Sequence, residues 1–112
     1  MLALTACGKG EAGPTGAAAT AEATAVFSSR CATCHGLQGR GDGPAAASLA
    51  PKPRSFHDAA WQQSVSDDHL SKVILFGGSA LGKSPTMPPN PDLSSRPEVV
   101  SELIKQIRGM RP

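Results

Sequence analysis

At 112 residues the chain has room for one small domain, and large apolar side chains are few: from Val26 to the end, 21 of 87 residues are Val, Ile, Leu, Met, Phe or Trp. So thin a core, alongside 12 glycines and 10 prolines, argues against an ordinary core-driven enzyme fold and calls for a disulfide, metal or cofactor to organise the interior. Eleven basic against nine acidic residues, spread singly, give no basic stripe for nucleic acid, and no apolar run reaches the roughly 18 residues of a membrane span.

At the start of the chain, Leu4-Thr5-Ala6-Cys7 resembles the lipobox of bacterial lipoproteins, in which cleavage before the cysteine precedes its lipidation. Only six residues precede Cys7, whereas a signal needs an apolar stretch of roughly 7–15. The lipoprotein reading therefore puts the start of translation upstream; the alternative is a stray cysteine in a leader. From Gly8 to Ala25, 15 of 18 residues are Ala, Gly, Thr or Pro. Such a segment has little apolar surface to offset its ordering entropy and reads as a flexible tether. The expected organisation is a leader and tether over residues 1–20 and a folded domain over 21–112.

Three helices are expected in that domain. The first spans about Ala21 to Thr33, on the strength of its alanines. The second spans Asp67 to Phe76. Ser66 is placed as its N-cap, Asp67 and Asp68 lie in its first turn, and Leu70, Val73 and Ile74 share one face before Gly77-Gly78 stops it. The third spans Pro97 to Gly109, with Val99, Val100, Leu103, Ile104 and Ile107 on an apolar face. Gly36 to Val65 and Gly77 to Arg96 read as long irregular stretches, which in a small domain mark functional loops. The fold class is all-α with long loops.

The strongest chemical signal is Cys31-Ala32-Thr33-Cys34-His35. Cysteines one helical turn apart present both sulfurs on one side, where they can form thioethers to two vinyl groups of a haem, with the following histidine reaching the iron. A thioredoxin-like dithiol would want a βαβ setting, and a zinc site would need further ligands at a suitable spacing. The third cysteine, Cys7, stands apart. A buried haem would also supply the apolar centre that the side chains lack.

With these residues in view, the chain from about Ala21 to Met110 resembles a bacterial class I monohaem cytochrome c. The likeness rests on Phe27 four residues before Cys31, on Cys34-His35-Gly36 followed by Gly39-Arg40-Gly41-Asp42-Gly43-Pro44, and on Pro51-Lys52-Pro53-Arg54-Ser55-Phe56 with Trp61. It continues through Ser84-Pro85-Thr86-Met87-Pro88-Pro89 and the last helix. Where many members have glycine and an aromatic at the crossing of the first and last helices, this chain has Ala23 or Ala25 and Leu103. The resemblance implies a small fold of about three main helices wrapped round one haem c attached through Cys31 and Cys34.

Met87 is the candidate sixth ligand opposite His35. It lies in a loop stiffened by Pro85, Pro88, Pro89 and Pro91, without the helical period of a core methionine. His57 or His69 as a second imidazole, and an open or water-bound position, are the alternatives. Arg54 and Trp61 are candidates for hydrogen bonds to the haem propionates; otherwise Arg54 is an exposed charge and Trp61 core packing. The resulting expectation is a monomeric electron-transfer protein, not an enzyme, shuttling single electrons between redox proteins of a respiratory chain. It would work in the bacterial periplasm or another extracytoplasmic space, held to a membrane only through a lipid on Cys7, and would bind no nucleic acid. The alternative is a haem-based gas sensor or small peroxidase with an open sixth position. A third reading is a module docked on a larger oxidoreductase. Past Val26 the balance is 10 basic to 7 acidic residues, which two propionates nearly cancel, so no partner charge is expected.

Overall fold

The computed structural model describes residues 16–111, which form five α-helices joined by loops and short 3₁₀ turns, with no strand among them. Met1, the lipobox-like segment and Cys7 lie outside the described residues.

Helix α1 spans Gly16–Val26 and so starts five residues before the expected point. The tether reading does not hold for Gly16 to Thr20: Ala19 is 1% exposed and Ala23 is fully buried. Low apolar area does not exclude packing here, because small side chains let two helix axes approach closely. The partner is α5, Pro97–Gly109, which buries Val99, Val100, Leu103 and Ile107. Ala23 and Leu103 both sit inside this core, so the departures from glycine and an aromatic are accommodated. Polar bonds border the crossing: Arg96 pairs with Glu22, Thr20 Oγ1 donates to Glu102 Oε1 at 3.1 Å, and Gln106 Nε2 donates to Thr24 Oγ1 at 3.1 Å.

After Val26 the helix widens into a π turn, Phe27–Cys31, in which the Ala32 N–H bonds the Phe27 carbonyl five residues back. Ser28 and Ser29 donate their hydroxyls to the carbonyls of Thr24 and Ala25, each at 2.8 Å, so acceptors at the widened turn keep donors. Regular α geometry resumes in α2, Ala32–His35.

The stretch expected to be irregular from Gly36 to Val65 contains a short helix, α3, Ala59–Ser64. Asp58 caps it by accepting from the Trp61 N–H at 3.0 Å. Six residues are too few to display a helical period. Helix α4, Asp67–Phe76, starts and stops where expected, with Ser66 accepting from the His69 N–H at 3.0 Å and Gly77 at φ 83°. Leu70 and Ile74 enter the core, whereas Val73 turns toward the cavity described below. The second irregular stretch holds 3₁₀ turns at Ser79–Leu81 and Pro91–Ser95.

Gln62 links the loop region to α5. At 5% exposure its amide donates to the Phe56 carbonyl at 2.9 Å and the Ile107 carbonyl at 2.8 Å, and its Oε1 accepts from Arg108 at 3.0 Å. Arg108 also donates to the carbonyls of Gln62 and Val65, each at 2.7 Å, closing the end of α3. Gln62→Leu keeps the volume and strands these groups. We expect a loss of about 2–4 kcal/mol in urea unfolding of the holoprotein, since each buried polar group left unpaired costs about 1–3 kcal/mol; an unchanged midpoint would refute this account.

Candidate functional site

The last turn of α2 and the loop after it are bound together by backbone bonds. The N–H groups of Gly41, Gly43 and Ala45 donate to the carbonyls of His35 at 2.7 Å, Cys34 at 3.0 Å and Thr33 at 2.9 Å. These satisfy carbonyls that a helix end would otherwise leave open. The return is tight: a side chain at Gly43 would collide with the backbone oxygens of Ala32 and Thr33. Glycine there is required by close approach, and it holds Cys34 and His35 at a fixed angle.

Cys31, Cys34 and His35 face a cavity of about 940 Å³. Both thiols are free, and burial pushes that of Cys31 up to about 11, against the opposing effect of Arg30. A redox dithiol is served by a lowered thiol pKa, so this environment does not favour the thioredoxin-like alternative. Zinc gains no support either, since no group of three or more His, Cys, Asp or Glu side chains able to hold a metal occurs among the described residues.

His35 is oriented twice. Its Nδ1 lies 2.9 Å from the Arg54 carbonyl, an oxygen that only accepts, so Nδ1 carries the proton and Nε2 keeps its lone pair. Phe56 stacks on the ring with centroids 4.6 Å apart. Burial lowers the His35 pKa, partly opposed by the Arg54 carbonyl, and so favours the neutral imidazole a metal requires. Phe56 continues the stack to Trp61 at 5.5 Å and approaches Phe27 at 6.5 Å.

Met87 lines the same cavity from the strap after α4. Gly78 N–H donates to the Met87 carbonyl at 3.0 Å, and the Gly78 carbonyl accepts from Lys83 N–H at 2.7 Å, closing the strap's upstream end. Downstream, Asn90 bonds α4 through its N–H to the Leu75 carbonyl at 3.1 Å and its side-chain amide to the Ile74 carbonyl at 2.8 Å. A side chain at Gly77 would crowd the Met87 carbonyl at 2.9 Å and the Pro89 nitrogen at 3.0 Å.

Arg54 and Trp61 also reach the cavity, and they act as one unit: the guanidinium carbon sits 5.6 Å from the indole centroid, with Asp58 3.8 Å from the arginine. All six residues singled out in the sequence, Cys31, Cys34, His35, Arg54, Trp61 and Met87, thus line one cavity. Of the two other histidines, His69 lines it and His57 does not; His57 Nε2 lies 2.7 Å from the Gln38 carbonyl. In the sequence Phe56 stands out only as part of a resembling segment, and Arg30 and Asn90 carry no signal of their own. A short Pro-Lys-Pro-Arg-Ser-Phe run was the one available signal for Phe56; the other two depend on contacts between distant segments.

The residues present fit a haem. The volume lies within the roughly 300–1,000 Å³ of small-molecule sites, and Leu70, Val73 and Ile74 give an apolar wall. The charged lining is Arg30, Lys52, Arg54 and Lys83, with no carboxylate, as suits a cofactor bearing two propionates. Two thiols one turn apart and an imidazole with a free Nε2 complete the donor set.

Comparison with known proteins agrees. The family model for cytochrome c matches residues 20–105. Among solved structures, the KustC0563 c-type cytochrome is similar at 27% identity and a TM-score of 0.61, over 80% of this chain and 98% of that one. No curated protein matches. Helices, cavity, attachment motif and family match converge: the chain belongs to the cytochrome c family, whose members carry covalently attached haem c and transfer electrons to and from redox proteins.

Proposed function

We propose that the protein is a closed electron carrier in which Cys31 and Cys34 would hold a haem c and His35 and Met87 would supply the protein ligands to its iron. The observation that carries this reading is that His35, locked by the Arg54 carbonyl and Phe56, and Met87, fixed by the Gly78 bond, line the same cavity from different segments. When bound, the haem supplies reversible one-electron exchange at its iron. The chain's part is to hold two ligands still, so that little rearranges between oxidation states. A histidine and methionine pair also raises the reduction potential relative to harder ligands. Arg54 and Trp61 would hold the propionates, the first with its fork of donors and the second with its indole N–H.

We further read the protein as a monomer of the bacterial periplasm, serving respiratory donors and acceptors and tethered through a lipid at Cys7. This follows the extracytoplasmic habit of the family, and among the described residues no helix is long and apolar enough to cross a membrane.

The test is the optical spectrum of the ferrous holoprotein with and without carbon monoxide. The unaltered protein is expected not to respond, whereas Met87→Ala binds carbon monoxide and has a lower potential. Ready binding by the unaltered protein would favour the alternative of a gas sensor or small peroxidase with an open sixth position. An unchanged spectrum in Met87→Ala, lost instead in His69→Ala, would transfer the ligand role to His69, which also lines the cavity.

A further inference from the structure

We propose that Arg30 is a positioning residue for the methionine strap: it clamps the haem-attachment turn to the segment that follows Met87. The inference rests on the reading of Met87 as an axial ligand.

Arg30 immediately precedes Cys31 in the π turn. Its guanidinium takes both carboxylate oxygens of Asp92, at 3.0 and 2.9 Å, and the side-chain oxygen of Asn90 at 3.1 Å. These partners stand 60 and 62 residues away along the chain. Asn90 is no loose acceptor, because its N–H and its amide nitrogen are both committed to the end of α4. Its amide oxygen is therefore aimed at Arg30, and the three groups form one connected set. Among the described residues, the bonds of Arg30 are the polar link between the turn that carries Cys31 and the strap.

Met87 lies between two fastenings. Upstream is the bond to Gly78; downstream are Pro88 and Pro89, which lack N–H donors, and then Asn90. Tension in the strap is thus referred through two stiff residues to the Arg30 clamp. Without it, the strap's own bonds to Gly78 and to α4 open more often, and its fixed distance to the segment holding Cys31, Cys34 and His35 is lost. A thioether is a weak ligand that a small displacement can detach. Lysine at position 30 would keep the charge and lose the planar fork that engages three acceptors at once.

The experiment is imidazole binding to the ferric holoprotein, with the far-red sulfur-to-iron absorption band recorded alongside. Imidazole competes with the thioether, so its apparent affinity reports the fraction of protein with the strap released. Arg30→Ala and Asp92→Asn are each expected to raise that affinity about five- to tenfold, the scale of a lost charge-assisted bond set. The double variant should rise little beyond the larger single effect, because both remove one interaction. Arg30→Lys should recover only part of the parent behaviour. In native-state hydrogen exchange, the Gly78 and Asn90 amides should lose protection in Arg30→Ala while Leu103 in α5 keeps its own. Parent-like imidazole affinity in Arg30→Ala, or single effects that add in full, would overturn the clamp. A Met87→Ala protein that keeps the far-red band and the parent's imidazole affinity would instead overturn the ligand reading beneath it, whatever Arg30 does.

Discussion

A chain with serine at both Cys31 and Cys34 is expected to hold no covalent haem and to lose its fixed tertiary packing. Among the described residues, the fully buried side chains of largest volume are Leu93, Leu103 and Val99, and four of the 14 buried apolar residues are alanines. That is a small core for a domain with so many loops. Leu70, Val73 and Ile74 line the cavity, and the half-buried Val73 needs the haem to keep it from water. Without the haem, a cavity of about 940 Å³ would expose its apolar walls to water. The α1–α5 crossing draws on residues away from the cavity, so part of the helix content should survive. The expected state therefore keeps some far-ultraviolet dichroism, loses near-ultraviolet dichroism and binds ANS. A cooperative thermal transition matching that of the holoprotein would show that the side chains suffice, and would contradict this reading.

Phe56→Ala should be the most damaging single truncation short of the attachment motif. Phe56 is 5% exposed, stacks on His35 and Trp61, meets Phe27, and donates its backbone N–H to the Gly39 carbonyl at 2.7 Å. Removing a buried aromatic ring costs about 3–5 kcal/mol, a large fraction of the roughly 5–15 kcal/mol that stabilises a typical domain. The loss has a functional face as well. With the ring gone His35 keeps its hydrogen bond to Arg54 but loses the surface that fixes its plane, so the Soret band should shift along with the urea midpoint. Phe56→Leu should recover part of the stability and less of the spectrum. If Phe56→Ala lowers the midpoint but leaves the spectrum untouched, the stack is structural only.

What could be read from the sequence was local. Ser66, Gly77, Pro97 and Gly109 mark the ends of α4 and α5 because capping chemistry acts within one turn. Cys31 through His35 announce their chemistry by spacing, and the prolines around Met87 mark a strap. The start of α1 was hidden because alanine is ambiguous: it serves a loose tether and a close helix crossing equally well. Helix α3 escaped because its evidence is one capping bond at Asp58, too brief for a period. Arg30, Asn90 and Asp92 carry no pattern at all when read singly. Their meaning lies in a meeting of residues some sixty positions apart, which only the folded chain brings about.

The π turn at Phe27–Cys31 has a mechanical consequence. Each residue advances an α-helix by about 100°, so one extra residue in a turn acts as a phase shifter. The face of α1 that meets α5, carrying Ala19, Ala23 and Val26, is set by the helix before the shift. The direction in which the sulfurs of Cys31 and Cys34 aim is set after it. Closing the turn to regular α geometry with all five residues kept would swing the two sulfurs and His35 by about a quarter turn relative to the crossing, whereas deleting one residue between Phe27 and Arg30 as the turn closes would restore their direction. Helix interface and cofactor mount are thus two separately timed parts on a single rod, and the five residues between them are the gear.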